Sequence, residues 1–219
     1  MRNNLEVSNM TTAMNENSAY QIKLKKKPVY DLISRIIDIY LSFVALVFSI
    51  PILLLTALAI KIEDRGPIFY TQKRVGKNGK EFTMYKVRSM CIDSDKKGSS
   101  ETEANDSRIT KVGRFIRKTR IDEIPQLWNI YTGDMKIIGP RPLVPDQIEE
   151  FSKELPEFRN RLAVYPGLTG LAQVSGGNEL NPGEKLAFDM EYVERRGARL
   201  DLKIVIRTVM VVFSGDGAR

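Results

Sequence analysis

The run I-Y-L-S-F-V-A-L-V-F-S-I-P-I-L-L-L-T-A-L-A-I, residues 39–60, contains no charged side chain. About 20 apolar residues suffice to cross the hydrocarbon core of a bilayer, so this stretch predicts membrane insertion and divides the chain around it. It begins too late, runs too long and lacks the small-x-small site of a cleaved signal peptide, which makes it a retained anchor. Near its middle Pro51 removes one backbone donor and crowds the preceding turn. Ser49 can hydrogen-bond the carbonyls so freed, and a break is expected around residues 47–51. Cations flank both sides: Lys23, Lys25, Lys26, Lys27 and Arg35 before, Lys61, Arg65, Lys73 and Arg74 after. The positive-inside tendency then favours a re-entrant hairpin of two short half-helices with both ends on the cytoplasmic face. A Pro-kinked helix that spans the bilayer is the alternative reading.

The chain has 219 residues, enough for one domain with a real core plus an appendage. Its formal charge is +7 with a pI near 9.4, which suits a polyanionic partner such as nucleic acid, an anionic bilayer or a phosphorylated small molecule. Cys91 is the sole cysteine, so no internal disulfide and no cysteine cluster for zinc can form. With no histidine, a His base, a Ser-His-Asp triad and His-containing metal sites are excluded. Polar catalysis must rest on carboxylates, Lys, Arg, hydroxyls and a hard cation with oxygen ligands.

Ahead of the anchor, residues 1–27 read as a disordered lead with a basic end, residues 28–62 as the membrane-inserted anchor, and residues 63–219 as a cytosolic domain. The fold class is α+β, mostly helical, with one short β-hairpin and interfacial amphipathic helices. The hairpin is expected around Asn78-Gly79, and period two places Phe82, Met84, Lys86 and Arg88 on one face of its second strand. Residues 91–107 read as a surface connection. From Ile109, Val112, Phe115, Ile116 and Thr119 recur at helical spacing, with Arg114, Arg117 and Lys118 off that stripe.

That basic helix leads to T-R-I-D-E-I-P-Q-L-W-N-I-Y-T-G-D-M-K-I-I-G-P-R-P, residues 119–142. Asp122-Glu123-Ile124-Pro125 reads as a helix start, with Asp122 as the cap and Glu123 in the first turn. Adjacent helical residues point about 100° apart, so one carboxylate can cap while the other is free. Leu127, Trp128, Ile130 and Tyr131 are expected in the core, with interface anchoring by the two aromatics as the alternative. Arg141, between Pro140 and Pro142, has little freedom left to lose and suits phosphate; a stiff connector with an incidental Arg explains it equally.

Residues 145–161 read as a charged helix and turn, with Arg161 the one side chain singled out. Tyr165-Pro166-Gly167-Leu168-Thr169-Gly170 reads as a glycine-rich turn. Asn181-Pro182-Gly183-Glu184 has the form of a capping box, opening a helix on which Asp189 and Glu191 are expected on the exposed face. Residues 200–213, too short to span, form a core or interfacial helix.

Four segments together resemble the bacterial sugar transferase family of monotopic phosphoglycosyl transferases: the anchor ending P-I-L-L-L-T-A-L-A-I-K-I, the strand M-Y-K-V-R-S-M, the D-E to G-P-R-P block, and P-G-L-T-G-L-A-Q-V-S-G. The resemblance covers about residues 30–213. It implies transfer of a sugar 1-phosphate from a UDP-sugar to undecaprenyl (polyprenyl) phosphate, releasing UMP, with Mg²⁺ and a covalent enzyme intermediate. The resemblance further implies a first membrane step of bacterial glycan assembly, at the cell membrane with the catalytic domain on its cytoplasmic face. Asp122 is implied as nucleophile and Glu123 as the Mg²⁺ ligand, with Asp122 sharing the metal before attack. Lys86, Arg88, Arg117 and Arg141 are implied as phosphate contacts and Asp189 as lining the nucleotide-sugar site. Two departures stand out. Ile50 separates Ser49 from Pro51, and Tyr165 replaces a basic residue, whose phosphate contact is then either absent or taken over by Arg161.

A membrane-bound Mg²⁺-dependent nucleotide-sugar diphosphatase and a non-enzymatic basic membrane scaffold are the competing readings. Nucleic-acid binding is read against, because the cations are interleaved with a membrane segment and no aromatic platform accompanies them. The sequence assigns neither the sugar nor the oligomeric state.

Overall fold

In the computed structural model, which describes residues 22, 24–92, 94 and 106–214, the apolar run lies within one helix, α1 (Pro28–Glu63, 36 residues). The expected lead over residues 1–21 and 23, and the expected surface connection over 93 and 95–105, lie outside the described residues. Pro28 opens the helix where its missing N–H costs nothing, and Asp31 and Lys61 complement the two ends of its dipole. One helix runs on through Pro51, where two half-helices meeting at residues 47–51 were expected. Ser49 donates to the Leu46 carbonyl at 2.8 Å, not to the Val47 carbonyl that Pro51 deprives of its donor.

The amphipathy of α1 is inverted relative to a soluble helix. Asp38, Ser42, Ser49 and Thr56 are buried, whereas Phe48, Leu54 and Leu55 are 77%, 66% and 70% exposed. The hydroxyls of Ser42, Ser49 and Thr56 donate to carbonyls of their own helix, so their burial leaves no donor unmet. A helix this long, apolar and outward-facing is long enough to cross a membrane, and among the described residues the segments Lys111–Lys118, Gln126–Thr132 and Lys136–Ile138 pack against it.

The hairpin forms where Asn78-Gly79 predicts it. Strands β1 (Phe69–Val75) and β2 (Glu81–Val87) pair antiparallel from Phe69↔Val87 to Val75↔Glu81, with Asn78 at φ 59° and Gly79 at φ 77° in the turn. Phe82 and Met84 pack on Ile130 and Met135. The free edge of β2 is closed by Asn129, whose amide accepts from Tyr85 N at 3.1 Å and donates to the Thr83 carbonyl at 2.8 Å.

Helix α2 (Lys111–Lys118) is capped twice, by the Thr110 hydroxyl on Gly113 N and by the Glu63 carboxylate of α1 on the N–H groups of Lys111 and Val112. Ile116 is buried with Ile60 and Val87. Phe115, on the same apolar stripe by spacing, is 62% exposed. A short helix is wide enough to bury only one side, and Val112 and Ile116 take it. Trp128 and Tyr131 on α3 (Gln126–Thr132) are likewise exposed, at 49% and 37%, in a tilted ring series in which Trp128 meets Tyr131 and Tyr131 meets Phe43 of α1, rather than in the core.

A second sheet was not legible in the sequence. Strand β3 (Lys136–Ile138) runs parallel to β4 (Gly167–Thr169), which the glycines had marked as a turn. Glycine serves close approach here: a Cβ on Gly167 would lie 2.0 Å from Gly139 N. Helix α4 (Pro145–Glu154) and a 3₁₀ segment (Pro156–Ala163) form the crossover. Helix α5 (Pro182–Arg195) has the expected capping box, Asn181 and Glu184 exchanging 2.9 Å bonds. Helix α6 (Ala198–Ser214) buries Ile204 but exposes Leu202, Val209 and Met210, and so is not a core helix.

Phe158, fully buried and edge-on to Phe151, should lose about 3–5 kcal/mol of stability on Phe158→Ala, whereas Phe115→Ala should cost under about 1 kcal/mol. Denaturant unfolding in detergent micelles checks the contrast; equal costs would contradict this packing.

Candidate active site

Strand β2 carries its inward face from Phe82 and Met84 to Lys86, whose ammonium is thereby held beside the acidic pair. On the other side Arg120, at φ 57°, bends the chain out of α2 into a 3₁₀ turn, Ile121–Glu123. The expected helix start is corrected: α3 begins at Gln126 with Pro125 in the cap position, and neither carboxylate caps it. Both are left for charge interactions. Lys86 Nζ lies 3.6 Å from Asp122 Oδ2 and 3.9 Å from Glu123 Oε1, and Arg141 Nη2 donates to Glu123 Oε1 at 2.7 Å.

These partners divide the two acids. Burial pushes the Asp122 carboxyl above the usual carboxylate range and Glu123 reinforces it, against the pull of Lys86 and Arg117. Burial also disfavours charge on Glu123, but Arg141 and Lys86 outweigh it and hold that carboxyl at about 2. Burial depresses Lys86, opposed by Glu123. Neighbouring groups with pKa values driven apart mark a division of labour: one permanently charged anchor, one carboxylate whose charge is costly and available for chemistry.

Arg117 contributes from α2, its Nε bonded to Ser89 Oγ at 2.8 Å. Arg88 is placed elsewhere: buried, it pairs with Asp64 at 3.1 Å and donates to the Asp64 carbonyl, fastening the end of α1 to the hairpin. Arg161 and Asp189 are not on an open surface either. They form a buried pair at 2.7 Å, and the same guanidinium nitrogen donates to the Arg141 carbonyl at 2.9 Å. The expected exposure of Asp189 is therefore corrected, since α5 turns that residue toward Arg161 and into the interior. Arg161 is occupied and does not stand in at Tyr165, whose ring instead carries Lys77 Nζ at 4.7 Å. Ser49 and Pro51 lie within α1.

Sequence reasoning missed Asn129 and Glu63, which fix the hairpin and α2 around the site; only their partners reveal them, because both bond backbone. Among the described residues no group of three acidic, His or Cys side chains could cage a metal. Asp122 and Glu123 nevertheless fit Mg²⁺, which is commonly held by one or two carboxylates together with substrate phosphates and water.

A family model described as Bacterial sugar transferase matches residues 29–215. The chain is 39% identical over 199 residues to the UDP-N-acetylgalactosamine-undecaprenyl-phosphate N-acetylgalactosaminephosphotransferase of Aeromonas hydrophila, covering 90% of this chain and 47% of that protein. It is 39% identical over 193 residues to the UDP-glucose:undecaprenyl-phosphate glucose-1-phosphate transferase of Caulobacter vibrioides, covering 86% and 72%. The Escherichia coli protein of that latter name is 37% identical over 204 residues, covering 87% and 44%. The chain thus spans about half the length of several curated relatives that it matches.

Removing one member of a buried ion pair strands the other, so Asp189→Ala should destabilise the protein by about 3–5 kcal/mol and free the Arg141 segment. Thermal unfolding with protease accessibility around residue 141 checks this; an unchanged unfolding temperature would remove the pair's structural role.

Proposed function

The chain belongs to the bacterial sugar transferase family, and on that premise we propose that it moves a sugar 1-phosphate from a UDP-sugar to a polyprenyl phosphate through Asp122. The observation that carries this reading is the split pair: Asp122, its charge made costly by burial, between the Lys86 and Arg117 cations and the Arg141-anchored Glu123. The named relatives differ in their sugars, so the proposal stops at UDP-sugar and undecaprenyl phosphate as the two substrates.

In the first displacement a carboxylate oxygen of Asp122 bonds to the sugar-bearing phosphorus. The bond from that phosphorus to the bridging oxygen breaks, and UMP leaves with the electron pair. In the second, an oxygen of the polyprenyl phosphate bonds to the same phosphorus and the Asp122 carboxylate departs intact, giving a polyprenyl diphosphate sugar. A carboxylate is repelled by a diphosphate unless cations already stand beside it, and Lys86, Arg117 and Arg141 supply that compensation. Asp122 and Glu123 would hold Mg²⁺, which when bound neutralises phosphate charge and orients the donor. Arg161 and Asp189 would act by fixing the backbone from which Arg141 projects.

The same reading includes a membrane-inserted α1 that does not span. Its N-terminal part is tied to the domain by Tyr30 to Asp201 at 2.7 Å and by Arg35 to the carbonyls of Ile130 and Tyr131, and its last residue caps α2. At 1.5 Å per residue the helix is about 54 Å long, against roughly 30 Å of hydrocarbon. One domain cannot grip both ends across a bilayer, which supports both ends on the cytoplasmic face. The exposed Phe115, Trp128 and α6 would then meet the interface.

Asp122→Asn should lower UMP release from a UDP-sugar panel with undecaprenyl phosphate by at least about three orders of magnitude; retained Mg²⁺-dependent turnover would refute the nucleophile. UMP release without any lipid acceptor would favour a diphosphatase. Since Asp122 must be charged to attack and its pKa is raised, kcat/KM should fall as pH drops from a point above the ordinary Asp value of about 3.9. Lys86→Met, which removes a cation that favours the charged form, should move that acid limb to still higher pH. For topology, cysteines introduced near residues 26 and 64 should both be shielded from an impermeant reagent outside intact cells. Labelling of one but not the other would mean a spanning helix.

A further inference from the structure

A second charged site lies at the opposite end of the hairpin. Its tip, the first turns of α1 and the segment before β4 enclose a cavity of about 460 Å³ that none of the carboxylate-site residues lines. From Lys86 to Glu81, where the turn begins, the strand runs about 17 Å at 3.4 Å per residue, so the two sites are separate. Arg35, Lys77, Lys136 and Arg196 face this cavity, with Asp31 the one acid in its lining.

These cations are held in place before any ligand arrives. Arg35 is fixed by the Ile130 and Tyr131 carbonyls at 2.6 and 2.8 Å. Gly133, at φ 99°, lets the chain pass that guanidinium, since a Cβ there would come within 3.1 Å of it. Lys136 Nζ bonds Ser34 Oγ at 3.0 Å, and Arg196 pairs with Asp31. Asp38 and Asp201 stand behind the wall, engaged by the Ile137 N–H and the Tyr30 hydroxyl. Lys77 differs: it rests on the Tyr165 ring, and among the described residues it meets no carboxylate within ion-pair distance. A preset guanidinium beside an ammonium that meets no acid forms an oxyanion site, and a phosphate, with more oxygens than the two of a carboxylate, can engage both cations at once. The cavity is also larger than a carboxylate needs. The charge-free run of α1 begins four residues after Arg35, which sets this cavity at head-group depth if α1 is inserted.

We propose that this cavity is a second phosphate-binding site, filled by the phosphate of an anionic phospholipid head group or by a soluble phosphate. Lys77 is its uncommitted contact, and the site is independent of the proposed transfer at Asp122. The test uses the full chain in nanodiscs and titrates inorganic phosphate by calorimetry, comparing wild type with Lys77→Glu and Lys77→Ala. In phosphatidylcholine discs, wild type should bind and Lys77→Glu should weaken binding roughly tenfold or more, with Lys77→Ala between them. Unfolding temperatures should be unchanged in both variants, since among the described residues the Lys77 ammonium has the Tyr165 ring as its partner and no hydrogen bond or ion pair to lose. Phosphatidylglycerol discs separate the two sources. A loss of phosphate affinity larger in wild type than in Lys77→Glu identifies the lipid head group as the occupant; equal affinity in both disc types identifies soluble phosphate. Wild type that does not bind phosphate in phosphatidylcholine discs, or Lys77 variants that bind as tightly as wild type, would overturn the site.

Discussion

Two carboxylates placed side by side in a nearly closed turn repel each other, and the fold around Asp122 and Glu123 is arranged to compensate that repulsion unevenly. Arg141 takes Glu123 with a 2.7 Å bond, while Lys86 is shared between the two at 3.6 and 3.9 Å. The asymmetry leaves Glu123 charged at any physiological pH and Asp122 with a charge that burial opposes. Each cation arrives from a different element, β2 for Lys86, the Pro-flanked loop for Arg141, α2 for Arg117, so the site exists only when all of these are packed. The buried Arg161–Asp189 pair extends the arrangement one layer deeper by holding the Arg141 carbonyl.

A second constraint concerns α1. Turning polar side chains inward and apolar ones outward is costly in water, where a long helix exposing Phe48, Leu54 and Leu55 would aggregate, and favourable in lipid. The polar side gives the domain something to grip. Arg35, Asp38 and Glu63 all bond main-chain groups of the domain, so helix and domain are one folded unit rather than an anchor on a tether. Both the carboxylate site and the cation-lined cavity are built against that helix or the strands it supports, and thus at a fixed distance from its apolar surface.

Much of this is legible in the amino-acid order alone. Residues 39–60 mark the membrane helix because a run of that length without a single charge suits hydrocarbon far better than water, and Asn78-Gly79 marks the hairpin because its turn needs positive φ. Asn181 to Glu184 mark a capping box by local bonding alone. Readings that depend on which side of an element meets the rest of the chain fare worse. Trp128 and Asp189 each fall on the side opposite to the one expected, and Phe115 leaves the side that Val112 and Ile116 bury, since helical spacing reports that residues share a face but not what that face will touch.

The sequence by itself determined the lipid-seeking helix, the hairpin, the absence of histidine chemistry and the acidic pair set among cations, because these follow from composition and from bonds between near neighbours. Only the tertiary structure decided that Asp122 is not a helix cap, that Lys86 and Arg141 converge on the pair while Arg88 and Arg161 are committed elsewhere, and that β4 is a strand. Those outcomes rest on contacts between residues 18 to 37 positions apart, from Arg141 with Glu123 to Lys86 with Glu123. No local pattern encodes which distant partner will neutralise a buried charge; packing chooses it.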